Sequence, residues 1–113
     1  MSAGFETSDA HAAELRPLRV AMRAEQVYAE AREQVDDLPG WKLVSADDLG
    51  RTLVCRKSGG ALGGSATITI TCSGPGDLPA ATVHVHSVTS GGLLARDRAH
   101  VLEFLTPFRR RVG

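Results

Sequence analysis

The chain has 113 residues, 42% of them hydrophobic, and thirteen basic side chains balance thirteen acidic ones. That is one domain's length, able to bury roughly two-thirds of its unfolded surface without staples, and too apolar for wholesale disorder. Zero net charge and 4% aromatic residues argue against nucleic acid as a partner, because both a basic footprint and a stacking platform are lacking. No apolar run approaches the ~18–20 residues of a membrane span.

Residues 1–14 are small and polar without periodicity and are expected to be a disordered lead-in. Their start lacks the basic and apolar regions of a signal peptide, so the cytoplasm is the expected compartment. A single domain is expected over 15–108, with 109–113 as a basic C-terminal tail. Leu18, Val20 and Met22 alternate with Arg19 and Ala21, a strand pattern that Pro17 confines to a strand start or a sheet edge.

A helix is predicted over 24–37. Ala24, Val27, Tyr28, Ala31, Val35 and Leu38 recur at spacings of three and four, and Pro39-Gly40 stops the run. Trp41–Ser45 and Arg51–Arg56 form a hairpin about Asp47-Asp48-Leu49-Gly50. Ala66–Cys72 and Ala81–His86 alternate strictly, Ile68, Ile70, Val83 and Val85 inward and the Thr and His side chains outward. Gly91-Gly92 closes the sheet. A second helix starts near Arg96-Asp97 with Val101, Phe104, Leu105 and Phe108 as its stripe, and Pro107 is expected to kink or end it. The order β-α-β-β-β-β-α describes an α+β fold, an antiparallel sheet with both helices on one face.

The run Val27-Tyr28-Ala29-Glu30-Ala31, then Leu38-Pro39-Gly40-Trp41-Lys42-Leu43-Val44-Ser45-Ala46-Asp47 and the closing Arg98–Leu105, resembles a group of small bacterial domains of unknown function. Arginine-rich cations with abundant Ala and Gly fit the same bacterial origin. The order is also similar to a shortened helix-grip domain, the fold of polyketide cyclases and lipid-transfer proteins. That resemblance implies a hydrophobic cavity between sheet and C-terminal helix, lined here by Leu53, Ile68, Ile70, Val83, Phe104 and Phe108.

His84-x-His86 places two imidazoles on one strand face, a metal-site spacing for which Asp97 or His100 would have to supply a third ligand. With Val83 and Val85 claiming the core, a solvent-facing pair is the expected reading, and no metal or other cofactor is assigned. Ser58–Ser65 is rich in glycine but lacks the Gly-Lys-Ser/Thr ending and the helix of a phosphate loop. Asp36-Asp37 and Asp47-Asp48 sit where a helix end and a turn require Asp, and adjacent side chains diverge. Cys55 and Cys72 fall on core-facing positions without an activating base, as buried reduced thiols. Trp41 is expected to plug the core with its indole N–H near the surface.

No nucleophile–base pair or cofactor motif emerges, so a non-enzymatic role is expected. Thr67, Thr69, Thr71, Thr82, His84 and His86 form an outer sheet face poor in the charges that normally keep sheets from associating. The leading expectation is a protein-interaction module that joins a protein partner or its own homo-oligomer through this face. The alternative is a binder of a small apolar molecule at the six lining positions above.

Overall fold

The computed structural model describes residues 5–9, 11, 15–58, 64–75, 77–90 and 97–112. In chain order they form β1 (Phe5–Glu6), β2 (Leu18–Val20), α1 (Ala24–Asp37), β3 (Trp41–Asp47), β4 (Thr52–Ser58), β5 (Ser65–Ser73), β6 (Ala81–Ser90) and α2 (Asp97–Val112). The six strands make one antiparallel sheet in the order β1-β6-β5-β4-β3, and β2 pairs with β6 on the same edge as β1. This is the expected α+β architecture with one strand added before it.

For residues 5–9 the added strand corrects the view of 1–14 as a disordered lead-in; residues 1–4, 10 and 12–14 lie outside the described residues. Phe5 and Glu6 pair with Ser87 and His86 of β6. Thr7 is buried: its N–H donates to the Val85 carbonyl at 2.9 Å, and its Oγ1 accepts from the Val85 N–H at 3.0 Å. The ordering comes from long-range pairing that satisfies edge groups of β6, so no local periodicity announces it.

α1 forms where the apolar stripe places it. Ala24, Val27, Tyr28, Ala31 and Val35 are buried, the Gln26 side chain accepts from the N-cap Arg23 N–H at 3.4 Å, and Gly40 at φ 79° turns the chain out into β3. α2 corrects a second expectation. It passes Pro107 and continues to Val112, so Arg109–Arg111 are its last turns and not a tail. Proline deprives the Glu103 carbonyl of its intrahelical donor. The tertiary contacts on both sides compensate: Phe104, Leu105 and Phe108 are wholly buried, and Arg111 reaches the acidic side of α1, where Nε donates to Glu30 at 2.8 Å and Nη1 to Asp37 at 3.0 Å. These carboxylates raise the Arg111 pKa.

Both helices pack on one side of the sheet. Their stripes meet Leu53, Cys55, Ile68, Ile70, Cys72, Val83 and Val85 in a single core. At its rim Trp41 and Lys57, opposite each other on β3 and β4, both donate to Oε1 of Glu103 on α2. Burial pushes the Glu103 carboxyl up, and these two donors together with the Lys57 charge outweigh it and hold the group below its ordinary value.

Two details shape the β3–β4 edge. Between Leu43 and Ser45 the register shifts by a β-bulge at Val44. In the turn that follows, the positive φ falls on Arg51 (50°) and not on Gly50; the Cys72 N–H donates to the Arg51 carbonyl at 2.9 Å and anchors it. At the same end of the sheet, in the β5–β6 turn, Gly74 has no substitute, because a Cβ there would lie 2.3 Å from the Ala80 carbonyl oxygen. Of the expected loops, the Gly91-Gly92 break and residues 59–63 of the glycine-rich connection lie outside the described residues.

Candidate functional site

The side of the sheet that carries no helix among the described residues is built by alternation. On β5, Ala66, Ile68, Ile70 and Cys72 are buried, which turns Thr67, Thr69 and Thr71 to the other side. On β6 the same phase buries Val83 and Val85 and turns out Thr82, His84 and His86. Register then assembles the residues into rows: Thr52 opposite Thr71 opposite His84, Val54 opposite Thr69 opposite His86, and Arg56 opposite Thr67 opposite Val88. The six residues singled out in the sequence therefore share one continuous surface. Thr67 is exposed and the other five are half-buried.

Among the described residues charge enters this surface at its borders, where Arg19 of β2 stands opposite Thr82. On the β3 side Lys42 stands opposite Arg56, and Asp47 opposite Thr52. On the β6 side Glu6 stands opposite His86, and its Oε2 lies 3.2 Å from His84 Nε2. The other nitrogen of His84 is 2.8 Å from the Thr7 hydroxyl. His84 is thus tied to the N-terminal segment, a role its sequence neighbourhood does not suggest. Asp97 and His100, the imagined further metal ligands, lie on the opposite, helix-covered side of β6. Among the described residues no three His, Cys, Asp or Glu side chains converge to hold a metal ion.

That opposite side carries a polar cluster that sequence reasoning missed. Ser87 and Thr89 both donate to Asp97 Oδ1 at 2.7 Å, and His100 Nδ1 stands 3.5 Å from the Ser87 hydroxyl. Ser, His and Asp meet here without forming a nucleophilic triad. The Ser87 hydroxyl donates to the carboxylate at 2.7 Å, the imidazole stands farther off at 3.5 Å, and Ser87 is 0% exposed. The arrangement instead pins the first turn of α2 to β6, with the acid at the positive end of the helix. The available signal was Ser87 and Thr89, two polar residues in phase with the inward series Val83, Val85, followed by Asp97 and His100 at helical spacing.

The remaining candidates also resolve into structure. Asp47 accepts from the Gly50 N–H at 3.0 Å, and Asp48 accepts from the Tyr28 hydroxyl at 2.6 Å. Burial, then the bond to Asp48, pushes the Tyr28 phenol up to about 12. Cys55 and Cys72 are free and buried, and burial pushes each thiol up to about 12, far from nucleophilic thiolate. Leu53, Ile68, Ile70, Val83, Phe104 and Phe108 are each 0% exposed in the common core. The Phe104 and Phe108 rings lie 4.9 Å apart, and the Trp41 ring lies 6.1 Å from Phe104. An open groove of 520 Å³ lies elsewhere, between β2 and the β5–β6 turn, lined by Arg19, Val20, Ser73, Pro75, Pro79 and Ala81 among others and by none of those six.

Among the described residues no helix is long and apolar enough to cross a membrane. Compared with known proteins, the chain matches no family model, and it matches no curated protein.

Proposed function

We propose that this protein is a non-catalytic interaction module that associates with another protein, or with itself, through its antiparallel sheet. The observation that carries the reading is the one-sided layering. Both helices cover one face, and the other presents a β-branched surface of Thr67, Thr69, Thr71, Thr82, His84 and His86 whose charges, among the described residues, lie at its margins. Such a surface loses little on desolvation compared with a charged one, and its threonines offer hydroxyls and methyls to a partner. The polar cluster and both thiols are engaged within the fold.

The test is the apparent size of the full chain in a gently prepared extract of cells that make it, alongside a Thr69→Lys/Thr71→Lys variant. Both substitutions sit on the outer side of β5 and leave the core untouched. The reading expects the chain to elute well above 12.0 kDa, with the variant shifting toward that mass where the outer face makes the contact and keeping its size where the sheet edge does. Elution of both at the mass of a single chain overturns the proposal.

A further inference from the structure

We infer that the partner, on the reading just given, is a second copy of this chain, joined antiparallel along β3 so that the sheets of two copies run on into one. Among the described residues β3 is the free edge opposite β1 and β2. An edge strand with unpaired N–H and C=O groups is a template for another strand. The bulge at Val44 decides which register that strand can take. On either side of it, Lys42 and Asp47 face the outer side with Arg56 and Thr52, while Leu43 and Ala46 face the core with Cys55 and Leu53. A two-fold axis that sets Lys42 opposite Asp47, Leu43 opposite Ala46 and Val44 opposite Ser45 therefore matches outer with outer and core with core at the flanking pairs. In a strand without a bulge the same register would set opposite faces against each other. Sliding by one residue in either direction mismatches the faces here.

Three features of the single chain are relieved by this register. Lys42 and Arg56 are like charges directly opposite each other, and neither has an ion-pair partner among the described residues. The second copy brings Asp47 beside Lys42, and symmetry repeats the exchange, so each copy supplies one cation and one anion. Val44 is 54% exposed on the edge itself and gains a neighbouring strand. Leu49, 94% exposed at the tip of the β3–β4 turn, is carried to the height of the partner's helix exit, whose corresponding residues in this chain are Leu38, Pro39 and Gly40. The half-buried Leu43 and Ala46 meet across the seam on the helix side and extend the two cores toward each other.

The test is sedimentation equilibrium of the purified chain with Lys42→Glu, Asp47→Lys, the double swap, and an equimolar mixture of the two single variants. Circular dichroism verifies folding, which matters for Asp47→Lys because Asp47 also accepts from Gly50. The inference expects a dimer whose dissociation constant rises at least about tenfold in Lys42→Glu, because two pairs turn repulsive. It expects recovery in the double swap and in the mixture, where both pairs across the seam again join opposite charges. The Lys42→Glu result stands even where Asp47→Lys does not fold. A chain that stays single at high micromolar concentration overturns the second copy as partner and leaves the extract experiment to decide the broader reading. A dimer indifferent to Lys42→Glu but weakened by Thr69→Lys overturns the edge register and keeps association through the sheet.

Discussion

Replacing Asp97 by alanine should loosen α2 from the sheet. Its Oδ1 accepts the hydroxyls of Ser87 and Thr89, each at 2.7 Å. Ser87 is 0% exposed, so removing the carboxylate leaves a buried donor without its acceptor, at about 1–3 kcal/mol. Thr89 is half-buried and recovers water for a smaller loss of about 0.5 kcal/mol. Removal of an acid from the first turn of the helix adds about 0.3–1 kcal/mol. The expected destabilisation is about 2–4 kcal/mol, a large share of the ~5–15 kcal/mol typical of a domain. Ser87→Ala should cost about 1 kcal/mol or less, because Asp97 keeps Thr89 as a donor. The assay is urea unfolding followed by fluorescence of Trp41, the only tryptophan, whose indole N–H bonds to Glu103 on α2 and so reports helix docking directly. With a urea slope of ~1–2 kcal/mol/M, Asp97→Ala should lower the midpoint by roughly 1–4 M. An Asp97→Ala midpoint within the error of wild type, or a Ser87→Ala cost larger than that of Asp97→Ala, would refute the assignment of the cluster as the anchor of α2.

Other outcomes follow from the same structure. The Glu103 carboxyl is held low by Lys57 and Trp41, so it contributes stability above the ordinary glutamate pKa that is lost as pH falls through its folded value. Glu103→Gln should flatten the acid limb of a midpoint-versus-pH curve, and an unchanged limb speaks against the hub. Arg111→Ala, which removes the bonds to Glu30 and Asp37, should lower the thermal midpoint and reduce its salt sensitivity, whereas a free tail predicts no change. Cys55 and Cys72, both pushed up to about 12, should resist alkylation at pH 8 in the native protein and react promptly in urea. Phe104→Ala, at a wholly buried ring packed between Trp41 and Phe108, should cost about 3–5 kcal/mol. A much smaller cost in the same urea assay indicates space in the core and would favour the small-molecule alternative.

How much of this was legible depended on whether a feature is local. α1 was, since stripe, Pro39 and Gly40 lie within one stretch and give Ala24–Asp37. β5 was also legible, its Thr/Ile alternation sorting the two faces without reference to any other strand. β6 was read only as far as His86 but runs to Ser90, because the inward position after Val85 is a serine whose partners come from α2. β1 was missed because two residues carry no period, and their order depends on β6. The bulge at Val44 arises from pairing with β4, and the continuation of α2 past Pro107 from packing against α1 and the core. The outer face could thus be named residue by residue in advance. Its charged margins, the tie from His84 to Thr7 and Glu6, and the matched faces of β3 required the register.

The most direct measurement of the central claim, that the sheet runs on into a second copy along β3, is amide hydrogen exchange across β3–β6 at low and high concentrations of the purified protein. The account predicts that β3 amides around Lys42–Asp47 gain protection as concentration rises, while the interior strands β4 and β5 are protected throughout. Exchange in β3 that stays fast and independent of concentration, in a protein whose native mass remains 12.0 kDa, contradicts it.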